Sequence, residues 1–225
     1  LIEELELENE FRRALRDEEF EYFLQPVIDL RDNTTLYNEM YVRWCHPTFG
    51  KIAREQFRQV AEQSGLTLDL DLFQLRKACE LLAHAKATGE YKISPHDLVF
   101  EFDENDLNRR SQFILPAIKK LKRAGVTLVL DNFGSGLASL SYLFAYPFEF
   151  IKIDHRFVRS LPRSQRNLKL IQSVMLISEH LKFKVIAEGV DSPAQLNALT
   201  DIECNYAQGK VLTRATVLDM KQLAG

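Results

Sequence analysis

Seven short apolar runs punctuate this chain, and most of them finish on a charged or amide residue. They are Tyr22–Leu30, Leu36–Trp44, Asp97–Phe102, Val126–Leu130, Phe148–Ile153, Lys184–Ala187 and Tyr206–Leu212. Between them lie amphipathic stretches with apolar residues three and four apart, as in Phe73 to Leu82, Phe113 to Leu121 and Leu168 to Leu181. Strands that alternate with helices require a mainly parallel sheet with helical crossovers, which is the α/β class. Runs that are apolar nearly throughout suit strands buried on both faces. The first connection, Arg31 to Thr34, is too short for a helix. It reads as a hairpin turn and makes the first two strands antiparallel.

In a parallel barrel every strand C-terminus points the same way, and that face carries the chemistry. The polar strand ends are Glu39 and Arg43, Glu101, Asp131 with Asn132, Lys152 with Asp154, Glu188, and Gln208. A single strand-end carboxylate is more often a helix cap or a salt-bridge partner. Four acidic groups and a lysine, with five strands showing the same feature at equivalent places, are hard to produce by capping alone. Oxygen ligands of this kind suit magnesium or manganese, whose usual partner is a phosphate ester.

Bulk properties narrow the field. A length of 225 residues with 46% hydrophobic residues supports a large core. The net charge of −3 gives no basic stripe, which argues against a nucleic-acid partner. Cys45, Cys79 and Cys204 are few, odd in number and widely spaced. They form no zinc pattern or disulfide framework, and this favours a reducing cytoplasm. No signal peptide or apolar run of membrane-spanning length is present. The chain opens on Leu1, with acidic residues and leucines interleaved through residues 1–9. That stretch reads as the end of a linker helix in a longer protein, itself either soluble or anchored to a membrane.

Motif order then supplies a resemblance. Phe20–Asp29 (FEYFLQPVID), Asn38–Pro47 (NEMYVRWCHP), Phe57–Leu66, Leu98–Glu104 (LVFEFDE), Asp131–Leu140 (DNFGSGLASL), Lys152–Asp154 (KID), Ala187–Asp191 (AEGVD) and Gln208-Gly209 follow one another as in the EAL family. The match spans nearly the whole chain, so residues 10–225 are expected to form the domain. The resemblance implies a TIM-like (β/α)8 barrel with an antiparallel first strand. It implies cyclic di-GMP as the ligand and two magnesium or manganese ions when the site is active. By the same resemblance, Glu39, Glu101, Asp131, Asn132 and Glu188 occupy metal positions. Lys152 positions the attacking water, with Glu188 also in a catalytic place. Gln25, Arg43, Asp154 and Gln208 lie at ligand positions, and Glu104 supports the loop after Asp131. A homodimer is implied through the loop at Phe133–Leu137 and its following helix, with an upstream sensory or GGDEF-type domain in the full protein.

Three departures from the family pattern bear on function. Asn132 stands where the family has the second aspartate of Asp-Asp-Phe-Gly. Met40-Tyr41 replace the alanine and leucine that follow Glu39, and Asp191 replaces a glutamate. The strand bearing a metal-ligating asparagine has no counterpart, so one strand–helix unit is missing near residues 89–92. The resulting expectation is a domain with a degenerate metal site that binds cyclic di-GMP or a protein partner more than it hydrolyses. The alternative is an active phosphodiesterase producing linear pGpG.

Overall fold

The computed structural model describes residues 2–52, 54–87, 94–135 and 140–218. Its elements are α1 (Ile2–Asp17), β1 (Phe20–Asp29), β2 (Thr34–His46), β3 (Gly50–Ile52), α2 (Arg54–Gln63), α3 (Thr67–Ala87), β4 (Val99–Asp103) and α4 (Glu104–Arg123). There follow β5 (Thr127–Phe133), α5 (Leu140–Ala145), β6 (Phe150–Ile153), α6 (His155–Arg159), α7 (Gln165–Leu181), β7 (Lys184–Glu188), α8 (Pro193–Thr200), β8 (Tyr206–Gln208) and β9 (Thr216–Leu218). The alternation is that of an α/β protein, as its sequence requires.

These elements fall into two compact units that interleave along the chain. One comprises Leu1–Gln25, Glu39–Ile93 and Ala215–Gly225; the other comprises Pro26–Asn38 and Ser94–Arg214. The division cuts through β1 and β2 rather than through a linker. The helix α1 runs unbroken from Ile2 to Asp17.

The first unit packs three helices around an aromatic core. Phe11 and Ala14 of α1 are fully buried with Trp44 and Phe57, and Phe20 and Phe73 join them. The rings of Phe11 and Trp44 meet edge to face with centroids 5.3 Å apart, a favoured aromatic geometry. Here β2 pairs antiparallel with β3, and the first half of β1 pairs antiparallel with β9.

The second unit carries the parallel strands. β4, β5, β6, β7 and β8 are joined in that order, each parallel to the next. The end of β1 closes onto β8 antiparallel, through Ile28 opposite Ala207. β1 and β2 are sheet neighbours linked by Leu30–Asn33, a connection only antiparallel strands can make. Leu128, Leu130, Ile151, Ile153 and Ala187 are inaccessible to solvent, as are Ile118 and Ile171 on the covering helices.

Two expected strands are trimmed. The third run begins at Val99 rather than Asp97, because Ser94–Asp97 closes a 3₁₀ turn in which the Ser94 amide and hydroxyl both donate to Asp97 Oδ2. The last run stops at Gln208 rather than Leu212. Beyond it, the amides of Leu212 and Thr213 turn back to the carbonyl of Gly209. The expected missing unit at 89–92 lies outside the described residues.

At the end of β1, Asp29 accepts hydrogen bonds from the Arg31 amide (3.1 Å) and Nε (2.9 Å), and pairs with Arg31 Nη2. Arg31 Nη2 also donates to the Tyr206 hydroxyl at 2.9 Å. The Arg31 guanidinium is the main cause that lowers the Asp29 pKa to about 2. A carboxylate whose folded pKa lies below its unfolded value stabilises above the unfolded pKa and loses that contribution as pH falls through the folded one. Asp29→Asn is therefore expected to lower Tm by about 2–4 °C at pH 7. The gap from the parent protein should close as pH falls from about 4 toward 2. Melts followed by circular dichroism across that range check it; a gap that stays constant down to about pH 2 would reject the pair as its source.

Candidate functional site

The parallel strands of the second unit bring a set of polar side chains to their C-terminal ends. Asp103 of β4 and Asp131 of β5 are register partners on adjacent strands. Glu101 precedes Asp103 by two residues and shares its face. Lys152 comes from β6, and Glu188 of β7 is the register partner of Gln208 on β8. Lys152 is completely buried, Gln208 nearly so, and Asp131 is 5% exposed.

Lys152 is the hub. Its Nζ donates to Glu101 Oε2 at 3.1 Å and lies 3.8 Å from Asp131 Oδ1. The other Glu101 oxygen accepts from the Tyr37 hydroxyl at 2.8 Å. A lysine deep in a fold is stable only when paired, and here the partners are carboxylates that carry the site.

Asn132 follows with an unusual backbone. Its φ is 56°, and the β5–β6 register shifts between Leu130 and Phe133. Such an irregularity re-aims a side chain at a strand end, and asparagine tolerates the left-handed conformation better than most residues. The result is a bridge. Asn132 Nδ2 donates to Asp131 Oδ2 at 3.0 Å and to Asp103 Oδ2 at 2.9 Å. Asp103 also caps α4, its Oδ1 accepting from the Asn105 amide at 2.8 Å.

The remaining expected residues divide. Glu104 is fully buried, and its Oε2 accepts the Gly134 amide at 2.8 Å. Asp154 caps α6 and is paired with Arg156 at 2.9 Å, which is the structural role such a residue most often has. Gln25, Glu39 and Arg43 belong to the first unit. There Glu39 is buried, and the Arg43 guanidinium lies 4.5 Å from the Phe23 ring centroid. Tyr41 stacks on Phe23 at 5.4 Å, which accounts for the room its larger ring needs. Tyr37 and Asp103 went unmarked in the sequence. Both were signalled by two-residue spacing, Tyr37 before Glu39 and Asp103 after Glu101.

Among the described residues, no three histidine, cysteine or acidic side chains are gathered into a ready-made ion cage. The donor chemistry nevertheless fits a hard divalent cation. Glu101, Asp103 and Asp131 bring three carboxylates, while Lys152 brings one ammonium and Asn132 a neutral amide. The named set thus keeps excess negative charge and offers oxygen donors only.

The model of the EAL domain family matches residues 8–94 and 85–215. The chain belongs to the EAL domain family. Its two matched stretches overlap at residues 85–94. Cyclic di-GMP phosphodiesterase NbdA of Pseudomonas aeruginosa is 31% identical over 241 aligned positions, covering 94% of this chain and 31% of that protein. Since 94% of 225 residues is about 212, roughly 29 of those 241 positions have no counterpart here. The bifunctional diguanylate cyclase/cyclic di-GMP phosphodiesterase MucR of the same organism is 28% identical, with 94% of this chain and 35% of that protein covered. This EAL domain therefore spans about a third of the length of those curated relatives. The solved structure of the PaMucR phosphodiesterase in complex with c-di-GMP superposes with a TM-score of 0.83, at 26% identity over 97% of this chain and 99% of that one. The FimX EAL domain from Pseudomonas aeruginosa bound to c-di-GMP shares the fold at 21% identity and a TM-score of 0.76, covering 92% of this chain and 95% of that one. Among the described residues no helix is long and apolar enough to cross a membrane.

Proposed function

We propose that this EAL domain binds cyclic di-GMP and turns it over slowly or not at all. The observation that carries this reading is the amide of Asn132. It donates to Asp131 and Asp103, whereas a carboxylate at that place would add a charged metal ligand. Affinity at hard-cation sites follows the count of charged ligands, so the site is weakened toward its second ion.

When a divalent ion is bound, it polarises the phosphodiester and lowers the pKa of a coordinated water. The residues of the second unit that would hold it are Glu101 and Asp131, with Glu188 added by family resemblance. Lys152 keeps Glu101 and Asp131 oriented and supplies a fixed positive charge toward a phosphate. Glu104 fixes the turn at Gly134, which holds the loop after Asp131. Gln208 backs Glu188, and Gln25, Arg43 and Asp154 are the proposed ligand contacts. A homodimer and a sensory or GGDEF-type domain upstream in the full protein complete the reading.

The second reading is an active phosphodiesterase. The buried Lys152 between Glu101 and Asp131 favours it, because that arrangement preserves the charged centre. One experiment separates the two. The purified domain is titrated calorimetrically with cyclic di-GMP in magnesium, in manganese and in EDTA, while chromatography follows linear dinucleotide. Binding with no product over hours supports the first reading. Product that disappears in Glu101→Gln establishes the second, and neither binding nor product rejects both.

A further inference from the structure

We infer that the outer face of α3 is a docking surface for the same face of a second copy of this chain, with the two helices running antiparallel. This is a different stretch of the chain from the loop and helix after Asp131, through which the family resemblance implies a dimer.

The helix is apolar on two opposite sides. Leu70 and Phe73 are buried in the aromatic core of the first unit. Lys77, on the same side, is held between Glu18 at 2.6 Å and Glu80 at 2.8 Å. Residues two apart stand about 200° apart around a helix, so Leu68, Leu72 and Leu75 point the other way. They are 54%, 50% and 42% exposed. Cys79 is exposed as well, and Leu82 is half-buried. Steps of four, three, four and three residues link these five positions, which is the heptad spacing of a helix–helix seam. A lone exposed leucine needs no explanation, but a continuous apolar row over two heptads does. A helix that is apolar on all sides belongs in an interior, and among the described residues only one side of α3 is covered.

Charge on the flank of the seam selects the partner. Asp69 and Arg76 lie one heptad apart on the same edge, both exposed. Among the described residues, neither is in an ion pair with its own chain. Let two copies pair antiparallel, with Leu72 against Leu75 of the second copy and Leu68 against its Cys79. Asp69 of each copy then stands beside Arg76 of the other, and the two-fold axis makes that contact twice. A shift of one heptad in either direction sets Arg76 beside Arg76, or Asp69 beside Asp69. The face is therefore complementary to itself in one register. A parallel pair would instead draw on Asp71 as the partner of Arg76, and Asp71 already has an interaction within its own chain. Opposed helix dipoles also favour the antiparallel arrangement.

Sedimentation velocity of the chain from about 1 to 500 µM reads the association. Leu72→Glu is expected to weaken it at least about 30-fold. Its Tm should stay within about 2 °C of the parent, because the side chain it replaces is already half exposed. Asp69→Arg and Arg76→Asp, each alone, set like charges against each other and are expected to weaken association about 3- to 10-fold. The double variant Asp69→Arg/Arg76→Asp should return to within about twofold of the parent, a recovery that a merely less stable helix could not give. Direction is read with a short bismaleimide. Leu68→Cys should cross-link to Cys79 of the second copy, and Cys79→Ser in that background should abolish the product. In the parent, the two Cys79 thiols of an antiparallel pair lie about 16 Å apart along the axis and should not join. A Cys79–Cys79 product in the parent would overturn the antiparallel assignment. Equal association of the parent and Leu72→Glu at every concentration would overturn the inference. A dimer that persists unchanged in Leu72→Glu would leave the dimer implied by the family resemblance standing, so the two readings fail separately.

Discussion

Lys152→Met is expected to lower Tm by about 10 °C at neutral pH and to abolish any phosphodiesterase activity. Lys152 is fully buried and has Glu101 Oε2 at 3.1 Å and Asp131 Oδ1 at 3.8 Å. Methionine matches its length and fills the same space, so little packing is lost. What remains is a pair of carboxylates without their ammonium, with Asp131 buried and Glu101 partly so. Removing one partner of a buried ion pair costs about 3–5 kcal/mol, and for a chain of this size each kcal/mol moves Tm by about 2–4 °C. A second substitution isolates the cause. Glu101→Gln removes one of the stranded charges and keeps an acceptor for the Tyr37 hydroxyl. The double variant Lys152→Met/Glu101→Gln should therefore be more stable than the sum of the single effects predicts, by about 0.5–3 kcal/mol of coupling. Denaturant titration of the four proteins measures that cycle. Additive effects would mean that the lysine stabilises by packing and that the carboxylates do not need it.

The fold was legible because its signals are local. Each parallel strand is a short apolar run, and each crossover carries helical spacing, so class and order follow from the sequence. The polar strand ends were legible for the same reason, since one residue at each of several strand termini marks a single face. What could not be read was anything decided by contact across strands. Asp97 looks like strand, but the Ser94 amide and hydroxyl capture its carboxylate in a turn. Asp154 reads as a strand-end carboxylate, and its pairing with Arg156, two positions on at the start of α6, is set by the fold. The role of Asp103 was hidden most completely. Within its own motif it is one more acidic residue. Its meaning appears only when register sets it beside Asp131 and the left-handed backbone of Asn132 swings an amide between them. α1 shows the same limit at larger scale. Its interleaved acidic residues and leucines do not show which of its side chains are buried, and the structure buries Phe11 and Ala14.

Gly209→Ala is expected to be the most damaging glycine-to-alanine change among the described residues. A Cβ at this position would lie 2.1 Å from the Val190 carbonyl oxygen, 2.4 Å from its nitrogen and 2.5 Å from its carbonyl carbon. All three are backbone atoms, so no side chain can turn aside to make room. The Val190 backbone is itself pinned, its amide donating to the Gln208 carbonyl at 3.0 Å and its carbonyl accepting from Val211 at 3.2 Å. Relief must therefore come from moving the segment after β7 or the end of β8, and those segments carry Glu188 and Gln208. A cost above about 4 kcal/mol is expected, seen as a Tm lowered by more than about 10 °C or as failure to accumulate in the soluble fraction. Gly50→Ala provides the contrast. Gly50 has a φ of 69° with nothing near its missing Cβ, so alanine there meets only the left-handed penalty of about 1–2 kcal/mol. Gly209 has no such backbone requirement, and its need is for space alone. A Gly209→Ala protein that melts within about 2 °C of the parent would show that β8 and the segment after β7 can part. If the variant folds but melts low, a weakened response to cyclic di-GMP would tie that close approach to the placement of Gln208 beside Glu188. The glycine after Gln208 would then serve the site by allowing two backbones to touch.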